Sequence, residues 1–148
     1  FCVFGGIEMR IAGEDLLVLG LQDPLLETSE FTYPELYTFV RQRNGFIALA
    51  HPFRYRPDIN LPLDSHPPDA IELYSHNTPP AFENEIRSLA RQHGLALLSN
   101  SDAHVRQHLG SYYNILKDGS QGEEAIFNQL RAGRYQVFVD KKARPSHA

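Results

Sequence analysis

A chain of 148 residues, 42% hydrophobic and 22% charged, is long enough for one domain with a real core and has the balance of an ordinary globular protein. Its formal net charge is −4 and its lysines and arginines are scattered, which argues against a general nucleic-acid coat but leaves room for an enzyme that grips a single phosphate. The one cysteine, Cys2, excludes an intrachain disulfide and cysteine-rich zinc sites, so a reducing, cytoplasmic setting is expected; no apolar run is long enough to span a bilayer, and no membrane partner is expected.

The chain opens on Phe1-Cys2-Val3-Phe4, already strand-like, and reads as a piece whose beginning is missing. Val3 to Ile11 is a strand interrupted by Gly5-Gly6, and Gly13-Glu14 turns the chain into a short buried strand from Asp15 to Gly20. Helix-start residues lie between Thr28 and Thr32, Pro34 suits a first turn, Leu36, Phe39 and Val40 recur at helical spacing, and Asn44-Gly45 stops the helix. Phe46 to Ala50 is the next strand. Pro52 to Pro68 is a long proline-rich loop, of the kind that serves as a lid or binding loop.

Ala70 to Tyr74 follows as a strand. Asn77 or Thr78 caps a helix with Pro79-Pro80 in its first turn and Phe82, Ile86, Leu89 and Ala90 on one face, ending at His93-Gly94. Leu95 to Leu98 is a buried strand and Tyr112 to Leu116 another. Ser120 caps a helix running through Glu123, Ile126, Phe127 and Leu130 to Gly133, Tyr135 to Val139 closes the pattern, and residues 141–148 read as a disordered tail. Strands and helices alternating over short connections predict a parallel sheet or barrel in one domain, 1–140.

Chemistry-bearing side chains gather where these strands end, the place where barrel folds keep their active sites. Asp102 and His104 form an Asp-x-His pair after Leu95-Ala96-Leu97-Leu98; extended spacing aims both the same way, and Ser99, Ser101 and Ala103 leave room for an ion. Carboxylate with imidazole suits zinc, manganese and iron. The bland alternative is a turn with Asp102 as a cap and His104 in solvent. His51 ends the most apolar strand, with Pro52 fixing the backbone after it; its alternative is a buried structural histidine.

Glu8 lies between Ile7 and Met9 and so faces away from them; a carboxylate on a buried strand must be paired or hold a metal, and the bland alternative is an exposed edge strand with Glu8 in water. His76 stands past its strand end as His51 does and is preferred over Glu72, which alternates with Ile71 and Leu73 and is expected at solvent. Arg54, three residues after His51, has the donor fork that suits a substrate phosphate, with Arg56 and Arg106 as weaker choices. Tyr112 and Tyr113 read as core or wall, and His66, His93, His108 and His147 as surface residues.

Gly6-Ile7-Glu8, Ala50-His51-Pro52, Ile71-Glu72 followed by His76, and Ser101-Asp102-Ala103-His104, in this order, resemble the PHP (polymerase and histidinol phosphatase) domain from about Gly6 to Val139. The resemblance implies a distorted (β/α)7 barrel, N-terminally truncated here because the family's opening His-x-His strand has no counterpart in this chain. It also implies up to three divalent ions (zinc, manganese or iron) at one face, and a phosphoesterase that cleaves a phosphate ester through a metal-activated hydroxide. Carried over by position, Glu8 resembles a carboxylate bridging two ions, His51 and His76 resemble ligands of one of them, and Asp102 and His104 resemble a final pair serving two different ions. On this reading Glu8, Asp102 and His104 are catalytic, Arg54 and Arg106 bind substrate, and the substrate is a small phosphomonoester or the phosphate of a nucleotide or oligonucleotide. The rivals are a non-catalytic PHP-like scaffold and a related metal hydrolase acting on C–N bonds. The latter is disfavoured because no strand ends in a lysine.

Overall fold

The computed structural model describes residues 3–117, 119 and 122–140; the expected Ser120 cap, His147 and the 141–148 tail lie outside them. β1 (Gly6–Ile11) and β2 (Glu14–Leu19) form a hairpin in which Ile11 faces Glu14 across the two residues Ala12 and Gly13. Both of these have positive φ, 54° and 85°, the geometry of the tight turn whose twist suits paired strands. A short helix α1 (Leu25–Thr28), which the sequence pattern does not announce, precedes α2 (Tyr33–Gln42).

β3 (Phe46–Leu49) and β4 (Ala70–Tyr74) are joined by the proline-rich loop. A 3₁₀ turn (Pro80–Phe82) then leads into α3 (Glu83–His93), which ends on left-handed Gly94. Asn77 and Thr78 do not cap α3; both side chains are used at the strand ends instead. After β5 (Ala96–Ser99) come a 3₁₀ turn (Arg106–His108), β6 (Tyr112–Leu116), α4 (Glu123–Arg131) and β7 (Tyr135–Val139).

The expected (β/α)7 barrel is not what forms. Among the described residues, β1 to β5 make one open sheet in sequence order, antiparallel from β1 to β3 and parallel from β3 to β5, while β6 and β7 form a separate antiparallel ribbon. The reasons are local. A two-residue link between β1 and β2 cannot hold the crossover a parallel pair needs, and the β3–β4 crossover is a loop rather than a helix. The sheet stops at β5 because side chains take its free backbone groups. The Ser99 N–H donates to Asn114 Oδ1 (3.0 Å), Asn114 Nδ2 donates to the Ser99 carbonyl (2.9 Å), and the Tyr135 hydroxyl donates to the Leu97 carbonyl (2.7 Å).

Both faces of the sheet are covered at its centre, which explains why β3 is apolar and buried at every position. Leu16, Val18, Ile47, Leu49, Ile71 and Leu73 pack with Leu36 and Val40 of α2 and Ile86 and Ala90 of α3. On the other face Phe46, Ala48, Ala70 and Leu98 pack with Phe127 and Leu130 of α4. Buried Asp69 ties the two layers together, accepting from Arg41 Nη1 (2.5 Å), Arg131 Nε (2.7 Å) and the Ile47 N–H (2.9 Å).

Candidate metal centre

Strand direction decides which side chains meet. β1 runs parallel to β3, β4 and β5, so the end of β1, the start of β2 and the ends of β3 to β5 share one margin of the sheet. Ile7 and Met9 pack into the α2–α3 core, which turns Glu8 and Arg10 to the α4 face. Asp15 pairs with Arg10 across the hairpin and therefore lies on that face too. The Ala50 N–H donates to the Asp15 carbonyl (2.9 Å), setting His51 beside Asp15.

Glu8, Asp15 and His51 consequently converge, each offering one donor atom, with all three atoms inside 4.8 Å of one another. His51 Nε2 is 3.6 Å from Glu8 Oε1 and 3.8 Å from Asp15 Oδ2; the side chains of His51 and Asp15 are 2% and 8% exposed, and that of Glu8 46%. Two carboxylates and an imidazole, buried on one side and open on the other, suit a zinc, manganese or iron ion. Donors at about 2.1 Å from a common ion in tetrahedral array stand about 3.4 Å apart, close to the spacing seen.

A second layer holds this group. His51 has a φ of 24°, a conformation costly for any residue with a Cβ. Its N–H donates to Glu72 Oε2 (2.9 Å). Glu72 is buried, not at solvent as its alternation with Ile71 and Leu73 suggests; it also accepts from Asn100 Nδ2 (2.9 Å) and the Thr78 hydroxyl (3.3 Å). Burial pushes the Glu72 carboxyl above the ordinary glutamate range, against the pull of these donors.

The later residues form a neighbouring cluster. Asn77 Nδ2 donates to Asp102 Oδ2, and His104 Nδ1 lies 3.5 Å from Asp102 Oδ1 on a largely exposed side chain. The His76 ring stacks on His108 at 3.8 Å between centroids and meets Tyr112 edge-on at 5.0 Å. Burial, then the adjoining His108, lowers the His76 pKa, and its Nε2 has no hydrogen-bond partner among the described residues. His76, Asp102 and His104 do not join the Glu8–Asp15–His51 group in this arrangement. His108, expected at the surface, is thus half-buried against His76, and His93 is largely buried beside Asp64 (3.5 Å). Tyr112 is buried, whereas Tyr113 is exposed and stacks on Phe138 at 4.3 Å.

Of the arginines, Arg54 stands at the centre: its Nη1 is 3.5 Å from His51 Nε2. Arg56 is used structurally, with Nε 3.1 Å from Glu14 Oε1 and Nη2 donating to the Ala12 carbonyl (2.7 Å). Arg106 is exposed in the 3₁₀ turn beside His108. Asp15, Arg10 and Tyr55 were not singled out by pattern. Counting outward on both sides of the Ala12-Gly13 turn finds Asp15, because a two-residue hairpin sets it opposite Arg10.

Residues 82–135, from α3 through β5 and the Asp102–His104 segment to the start of β7, match a family model described as PHP-associated. No curated protein matches the chain. Among solved structures, the crystal structure of PsfC from Pseudomonas syringae PB-5123 shares the fold with a TM-score of 0.65 and 18% identity over 93% of this chain, which spans 59% of that protein's length. The similarity to the PHP-associated family thus rests on residues 82–135 of this chain.

Proposed function

We propose that this chain carries the metal site of a divalent-metal-dependent phosphoesterase. The observation that supports this most is the convergence of Glu8, Asp15 and His51 beside Arg54 at the sheet margin. Glu8, Asp15 and His51 hold the ion; Asp102, His104 and His76 supply further ligand capacity from the next strand ends. Bound there, a divalent ion would acidify a water and offset charge on a phosphoryl group.

The remaining work falls to the chain itself. Glu72 orients His51 through its main-chain N–H, so the imidazole stays fixed without Glu72 becoming a ligand. The Asn77 side-chain amide donates to the Asp102 carboxylate and orients it directly. Arg54 is exposed and touches His51 Nε2 only at 3.5 Å, so its guanidinium is free to meet a phosphate oxygen instead. The domain is taken to span residues 1–140, with a phosphorylated small molecule or nucleotide as substrate.

The test is release of nitrophenol from p-nitrophenyl phosphate by the full chain with added manganese or zinc. Release should require the ion, stop on chelation, and fall by about tenfold or more in Asp15→Asn and His51→Ala. Equal release in the presence of chelator would overturn the proposal. A scaffold that binds the ion and releases nothing would overturn it as well.

A further inference from the structure

Arg10 projects from β1 on the same face as Glu8, and its guanidinium lies over the Tyr55 ring at 4.2 Å from the centroid. The Arg54 guanidinium rests on the same ring at 5.1 Å, and the ring meets His51 edge-on at 6.3 Å. One exposed tyrosine thus gathers two cations beside the metal ligands. Arg10 has Asp15 as its counter-charge, with Nε 3.8 Å from Asp15 Oδ1, an ion pair too long to be a hydrogen bond, and Arg54 Nη1 lies 3.5 Å from His51 Nε2, the atom that faces Glu8 and Asp15.

A divalent ion held by Glu8 and Asp15 consumes both negative charges. Arg10 then loses its counter-charge, Arg54 loses its place at His51 Nε2, and two like charges on one ring repel. A ligand with two negative charges restores the balance; a ligand with one does not. Arginine forks also favour the several free oxygens of a terminal phosphate. We infer that Arg10 and Arg54, held together by Tyr55, form an anion cradle that makes the site select a dianionic phosphate monoester over a monoanionic diester. The inference rests on the phosphoesterase reading for its setting and adds the substrate class.

The experiment is calorimetry of the manganese-loaded chain with benzylphosphonate and with its monomethyl ester, at a pH where the former is a dianion. Benzylphosphonate has no P–O–C bond, and the single P–O–C bond of its methyl ester is shown intact by phosphorus NMR after the titration, so binding alone is read. The wild type should bind the dianion about tenfold more tightly than the monoester. Arg10→Gln should erase most of that preference while weakening the monoester little, and Tyr55→Ala should do so in part, with Tyr55→Phe unchanged. Equal affinity for the two anions in the wild type, or an unaltered preference in a folded Arg10→Gln chain, would overturn the inference. The two readings fail separately. If manganese binds and nitrophenyl phosphate is cleaved but Arg10→Gln keeps the preference, only the cradle falls. If no phosphate ester is cleaved yet the dianion preference depends on Arg10, the cradle stands and the phosphoesterase reading falls.

Discussion

His51, Phe53 and Asp102 all have positive φ, 24°, 64° and 46°, and all three lie on loops that follow strands at the candidate site. Residues with a Cβ hold such conformations at a cost of about 1–3 kcal/mol each, and they persist where surrounding contacts over-determine them. Here the contacts are the Glu72 carboxylate on the His51 N–H and the Asn77 amide on the Asp102 side chain. Asn tolerates this backbone region nearly as well as Asp, whereas a β-branched residue does not. Asp102→Asn should therefore melt like the wild type, and Asp102→Val should lose about 1–2 kcal/mol of stability; thermal unfolding of both variants checks this. At this scale the sequence exposed Glu8 and His51, because an acid between apolar neighbours and a histidine ending an apolar strand are visible anomalies. It did not expose the burial of Glu72. The same alternation fits a solvent face and a face closed by a second layer, and only tertiary contacts separate the two.

Helix α2 shows how an element is fixed by its ends. Glu35 accepts from the Thr32 N–H (2.8 Å) and the Thr32 hydroxyl (2.6 Å) at the first turn, and Pro34 sits where a missing N–H costs nothing. The hydroxyl and N–H of Thr32 hold the Glu35 carboxyl below the ordinary glutamate range. A depressed folded-state pKa gives stability that is present above the unfolded value and lost as pH falls through the folded one. Acidifying from neutrality to below the ordinary glutamate range should therefore narrow the gap in melting temperature between the wild type and Glu35→Gln, and a gap that stays constant with pH would refute the assignment. Elements of this kind were legible: capping residues, Asn44-Gly45 and the apolar strands mark β3, β4, β6, β7 and α2 to within a residue or two. The direction of β2 was not, because the run from Asp15 to Leu19 is equally apolar whether paired parallel or antiparallel. The two residues Ala12 and Gly13 decide it.

In the whole molecule, the open mixed sheet performs the positioning that a closed barrel was expected to perform. Reversal at Ala12-Gly13 brings the start of β2 to the margin where β3 and β4 end, so Asp15 arrives from a strand of opposite sense. The ribbon of β6 and β7 closes β5 through Asn114 and Tyr135 rather than by extending the sheet. Neither pairing follows from periodicity, which reports how a strand faces its neighbours and not which neighbours it has. The claim on which the account depends is that this topology builds an ion site from Glu8, Asp15 and His51. The most direct measurement is a calorimetric titration of manganese into the chelator-treated full chain, comparing the wild type with Asp15→Asn. The account predicts saturable binding by the wild type, weakened by about tenfold or more in Asp15→Asn with the fold intact. Binding of equal affinity in the two proteins would contradict it.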